Sequence, residues 1–160
     1  EENVGTTFTF TIGFEYDEEK SREIINNIEV DLSDGHLYNI LVVEDNKINQ
    51  MVTKKIIQSS NLSCTIVDDG YAAIVALERE RFDLILMDIN MPLINGFDTT
   101  RKIREKGINI PIIALTAFDK QEVTEEAISA GMNDIMVKPF EPSKLFQVIS
   151  NNVNNRESAD

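Results

Sequence analysis

Residues 82–97 read FDLILMDINMPLINGF, and this stretch decides the fold. Phe82–Met87 is a short apolar run that ends abruptly on a carboxylate, Asp88, and then on a loop carrying Pro92 and Asn95-Gly96. A run this short, rich in branched residues and with no polar alternation, suits a strand covered on both faces, as in a parallel sheet. The helical period resumes at about Phe97–Glu105. The unit is therefore strand, loop, helix.

Working outward, the same unit recurs. Tyr38–Val43, Cys64–Val67, Ile110–Leu115 and Ile135–Val137 are further apolar runs, and helical stretches are predicted over about Lys47–Ser59, Tyr71–Arg79, Lys120–Ala130 and Pro142–Val153. Gly70, Asn95-Gly96, Gly107 and Gly131 read as turns, and Pro111 borders a strand start. Five strand-then-helix units in series predict an α/β doubly wound sheet with right-handed crossovers.

The front of the chain is different. Phe8, Phe10, Ile12, Phe14 and Tyr16 alternate with Thr7, Thr9, Thr11, Gly13 and Glu15, a two-residue period that predicts a strand with one wet face. Such a strand needs a sheet to join. Residues 17–37 read as an acidic linker, 38–153 as the main domain and 154–160 as a tail. Residues 1–36 carry ten acids and two bases, against eighteen and thirteen in the rest. The whole chain of 160 residues has a formal charge of −13, which disfavours nucleic acid and anionic lipid as partners. The single cysteine, Cys64, rules out an internal disulfide and fits a reducing, cytoplasmic setting. No apolar run nears the roughly 18 residues of a membrane span, so direct membrane contact is not expected of this segment. A chain beginning at Glu1 reads as a piece of something longer.

In a doubly wound sheet the loops at the carboxyl ends of the strands converge at the switch in strand order. The sequence puts Glu44-Asp45, Asp88, Thr116 and Lys138 at those ends. Carboxylates about 4 Å apart repel by roughly 1 kcal/mol in water and up to about 4 at a surface-like dielectric, and a divalent cation relieves that. Oxygen donors without His or Cys favour a hard ion such as magnesium. A carboxylate beside such a cation can attack phosphorus and become an aspartyl phosphate. Lys138 would balance the phosphoryl charge and the Thr116 hydroxyl could donate to it.

The segments LVVEDNKINQ (41–50), LILMDINMPLINGF (84–97), ALTA (114–117) and VKPF (137–140) resemble the receiver domain of two-component response regulators. EDNKINQ and AGMNDIMVKPF (130–140) resemble the receivers fused to hybrid sensor histidine kinases. The resemblance implies a flavodoxin-like, five-stranded sheet in order 2-1-3-4-5 with five helices. It implies Asp88 as phosphoacceptor and magnesium held by Asp45, Asp88 and the carbonyl of Asn90, with Glu44 acting mostly through water. It further implies Lys138 as the phosphoryl partner, Thr116 as a switch hydroxyl and a cis peptide before Pro139. Self-phosphorylation and self-dephosphorylation go with those roles, and a parent chain that is a histidine kinase. Asn90 and Phe118 fall where the family tunes phosphoryl lifetime, and Phe118 predicts a long-lived state. One position departs: the family's Tyr or Phe three residues before the lysine is Ile135 here.

VGTTFTFTIGFE (4–15) resembles the last strand of a histidine kinase ATP-binding domain, so residues 1–16 are expected to be a remnant of one. The implied partners are a histidine kinase phosphodonor domain and a His-containing phosphotransfer protein, with homodimerisation through the parent kinase or the front strand. Two rivals stay open: a receiver that only binds partners and never carries phosphate, and an aspartyl-phosphate phosphatase. The second wants an acid two residues after the nucleophile, where Asn90 stands. Asn46 is expected to cap a helix, Asp68-Asp69 to lie in a turn, and Met87, Met91, Met132, Met136 and Cys64 to be buried.

Overall fold

A computed structural model describes residues 37–60 and 62–157, and the predicted front strand and most of the linker lie outside them. Five strands and five helices alternate: β1 (Asn39–Val43), α1 (Lys47–Gln58), β2 (Ser63–Val67), α2 (Gly70–Arg79), β3 (Leu84–Asp88), α3 (Gly96–Glu105), β4 (Ile112–Thr116), α4 (Lys120–Ala130), β5 (Asp134–Val137) and α5 (Pro142–Glu157). The sheet is wholly parallel in order β2-β1-β3-β4-β5. The fold is thus the predicted doubly wound, flavodoxin-like one. The last helix runs past Val153 to Glu157, into what reads in sequence as a tail.

Side chains of successive strand residues point to opposite faces, and both faces are covered. Leu41, Val43, Ile85, Met87, Ile112 and Ala114 pack against Ala73, Ile103, Val123 and Ala127 of α2, α3 and α4. Ile40, Val42, Leu84, Leu86, Ile113 and Leu115 pack against Ile57 of α1 and Leu145, Phe146 and Ile149 of α5. This explains why β1, β3 and β4 show no polar alternation. β2 departs from that expectation. It is an edge strand, Ser63 is exposed and the rest are half-buried. Cys64 is accordingly only partly covered, not a buried thiol; burial raises its pKa, opposed by Lys54. The four methionines 87, 91, 132 and 136 are buried as expected.

The glycines divide into two kinds. Gly107 and Gly131 end α3 and α4 at φ +74° and +91°, a conformation that glycine adopts without the steric cost of a side chain. Gly70 and Gly96, read as turn residues, are instead the first residues of α2 and α3. A Cβ on Gly96 would stand 2.4 Å from the carbonyl oxygen of Asp88. The close approach of α3 to the end of β3 is what this glycine permits.

Candidate functional site

β1 and β3 are neighbours at the switch in strand order, and their carboxyl ends deliver Glu44-Asp45 and Asp88. Glu44 is 1% and Asp88 5% exposed, while Asp45 faces solvent. Glu44, Asp45 and Asp88 each place a carboxylate oxygen within 4.8 Å of the others. β5 brings the compensating charge. The Lys138 ammonium lies 2.8 Å from Asp88 Oδ2 and 2.6 Å from Glu44 Oε2. The Lys138–Pro139 peptide is cis.

Hydrogen bonds hold the carboxylates in place. Asp88 Oδ1 accepts from the Asn90 N–H at 3.0 Å. Glu44 Oε1 accepts from the Asn46 N–H at 3.3 Å and the Asn49 amide at 2.9 Å. Asn46 caps α1 by accepting from the Ile48 and Asn49 N–H groups. Asp69 caps α2. Asp68 instead reaches Lys47 at 2.5 Å and Gln50 at 2.6 Å, and those two donors hold its carboxyl below the usual aspartate range.

Thr116, at the end of β4, is fully buried, and its Oγ1 accepts from the Phe118 N–H at 2.9 Å. A hydroxyl that accepts one bond in this way also carries a hydrogen of its own to donate. Phe118 is half exposed. Ile135 is a core residue opposite Ala114 in the β4–β5 register, in the cluster with α4. The structure thus gathers Glu44, Asp45, Asp88, Asn90 and Lys138 at one lip, with Thr116 beside it and Ile135 beneath. Sequence reasoning gave Glu44 a role toward a metal alone and missed its direct bond to Lys138. It also missed Asn49 and Gln50, whose signal was present as polar residues in the first turn of an otherwise amphipathic helix.

Among the described residues, three carboxylates against one ammonium is an unbalanced set, and the candidate metal ligands are hard carboxylate oxygens. The arrangement fits a small divalent cation. It also presents a nearly buried carboxylate, Asp88, already paired with a cation on one oxygen.

A family model described as the response regulator receiver domain matches residues 40–150. The chain belongs to that family. Autoinducer 2 sensor kinase/phosphatase LuxQ of Vibrio vulnificus is 35% identical over 142 residues, 88% of this chain and 17% of that protein. Sensor protein EvgS of Escherichia coli is 31% identical over 137 residues, 86% of this chain and 11% of that one. The chain therefore spans only a small part of these relatives. Among solved structures, the receiver domain of a Pseudomonas aeruginosa sensor histidine kinase, with magnesium coordinated in its active-site cleft, is 40% identical. It has a TM-score of 0.68 and covers 74% of this chain and 99% of its own. Chemotaxis protein CheY4 of Vibrio cholerae is 26% identical with a TM-score of 0.70, covering 73% of this chain and 99% of that one. The receiver is a phosphoacceptor module of two-component signalling. No helix among the described residues is long and apolar enough to cross a membrane.

Proposed function

We propose that this receiver takes a phosphoryl group onto Asp88 from a phosphohistidine, and that it belongs to a hybrid sensor histidine kinase. The observation that supports this most directly is the Lys138 ammonium held between Glu44 and Asp88, beside the open carboxylate of Asp45. A carboxylate oxygen of Asp88 attacks phosphorus, a P–O bond forms, and the P–N bond to the donor imidazole breaks. The imidazole leaves with the bonding pair and takes up a proton. Lys138 follows the charge onto the phosphoryl oxygens, and Thr116 donates its hydroxyl hydrogen to one of them. Asp45, Asp88 and the Asn90 carbonyl would hold magnesium, which supplies neutralising charge for those oxygens.

The donor has to bring its imidazole to this lip. Ile48 and Met51 of α1 are each 71% exposed beside it. Val52, Pro139 and Phe140 line a groove of about 430 Å³ that also reaches Lys138. An apolar stripe next to a charged site suits the histidine-bearing helix of a donor or phosphotransfer protein. The phosphoryl charge draws Thr116 and Lys138 inward and biases the surface of α4, β5 and α5. Phe118, half exposed beyond Thr116, screens the acyl phosphate from water; hydrolysis after Phe118→Ala is expected to quicken.

Acetyl phosphate and magnesium followed by intact mass measurement tests the reading. Wild type should gain one phosphoryl group and Asp88→Asn none. No gain in wild type would leave an interaction-only receiver as the better account.

A further inference from the structure

Glu44 is the most deeply buried carboxylate of the site, and its two oxygens have different work. Oε2 accepts from the Lys138 ammonium at 2.6 Å. Oε1 accepts from the Asn46 N–H and from the Asn49 side-chain amide. Asn49 is the third residue of α1 and is itself fixed, because its N–H donates to the Asn46 cap at 3.3 Å. The backbone of Glu44 is tied by the same turn, since buried Gln50 donates its amide to the Glu44 carbonyl oxygen. A glutamate has three side-chain torsions, and a lysine held by it inherits that freedom unless something stops it.

We infer that Asn49 is a positioning residue: its amide locks the Glu44 carboxylate in the orientation that holds the Lys138 ammonium against Asp88. The Asn49 amide is bonded to Glu44, not to Asp88. It acts through a relay of two bonds, amide to carboxylate and carboxylate to ammonium. This rests on the reading of Asp88 and Lys138 given above. A purely helical role for Asn49 makes the opposite prediction. Leucine has nearly the shape of asparagine and a higher helix propensity, so Asn49→Leu should then be neutral or stabilising and silent at Lys138.

The test compares wild type, Asn49→Leu and Asn49→Gln. In magnesium-free protein, proton exchange at the Lys138 ammonium, read by NMR, is expected to speed up several-fold in Asn49→Leu with the melting temperature unchanged or raised. With magnesium and phosphoramidate, its phosphorylation rate is expected to fall about tenfold, the scale typical of residues that orient a metal-site ligand. Asn49→Gln keeps the donor and should recover part of both losses. Unchanged Lys138 exchange in Asn49→Leu, or no recovery in Asn49→Gln, overturns the inference. The exchange readout needs no phosphorylation. If wild type itself fails to label, the functional reading falls while the role of Asn49 is still decided.

Discussion

The two ends of the sheet handle charge in opposite ways. At the carboxyl ends of β1, β3 and β5, Glu44, Asp45 and Asp88 share the single ammonium of Lys138. At the amino ends of β4 and β5, one guanidinium meets four acceptors. Arg104 donates to the carbonyls of Gly131, Ile108 and Ile110 and to Asn133 Oδ1, at 2.8–3.0 Å. Asn133 Oδ1 in turn accepts from the Ile112 N–H. Arg104 thus stitches together the loops that lead into β4 and β5. Burial lowers its pKa, yet a guanidinium remains charged. One end surrounds its cation with neutral oxygen acceptors, and the other carries surplus negative charge. A fold keeps such an imbalance where function requires it and satisfies its polar groups elsewhere.

That contrast can be broken from either side. Lys138→Met removes the only cation paired with Asp88 among the described residues, so phosphorylation by acetyl phosphate should slow at least about 100-fold, the scale of losing one preorganised charge. Arg104→Met should do the reverse. It strips hydrogen bonds from several carbonyls at once and should cost about 2–4 kcal/mol in urea unfolding. Its phosphorylation rate, measured well below the melting point, should stay close to wild type. If Arg104→Met slowed phosphorylation as severely as Lys138→Met, the two ends would not be separate.

How far each end was legible in sequence follows the same division. β1, β3 and β4 could be read from apolar runs because helices cover both faces. The lip could be read because Asp88 and Lys138 sit where apolar runs stop. β2 was found, but its exposure was not, since edge position depends on strand order rather than on composition. The Arg104 clasp left no trace. An arginine in the last turn of a helix is ordinary, and its acceptors are mostly backbone carbonyls, which carry no sequence identity. Asn49 stood out only as a polar residue in the first turn of α1; its pairing with Glu44 did not show, because the two lie across a strand-to-helix turn. Gly96 read as a turn because the sequence does not show that α3 presses on the Asp88 carbonyl.

The surplus charge at the lip also predicts a smaller effect on stability. Asp88→Asn removes one of three mutually repelling carboxylates while Lys138 keeps Glu44. Without magnesium the variant should be more stable than wild type by about 1 kcal/mol, the order expected for like charges near a surface. Magnesium should then stabilise wild type by mass action and close the gap. A destabilised Asp88→Asn in the absence of magnesium would mean that the lip is balanced after all.

The smallest effect lies just outside the lip, at Asp68, where Lys47 and Gln50 hold the carboxyl below its usual range. A depressed carboxylate stabilises the fold above the unfolded-state value of about 3.9, and that contribution is lost as pH falls through the lower folded value. Asp68→Asn should therefore be slightly less stable than wild type near neutrality, and the difference should vanish in acid. The pair is exposed on both sides, so added salt should shrink the neutral-pH difference as well. A gap that survived both acid and salt would show that Asp68 acts through its bond to Gln50, and so through the Glu44 backbone that Gln50 holds, rather than through charge.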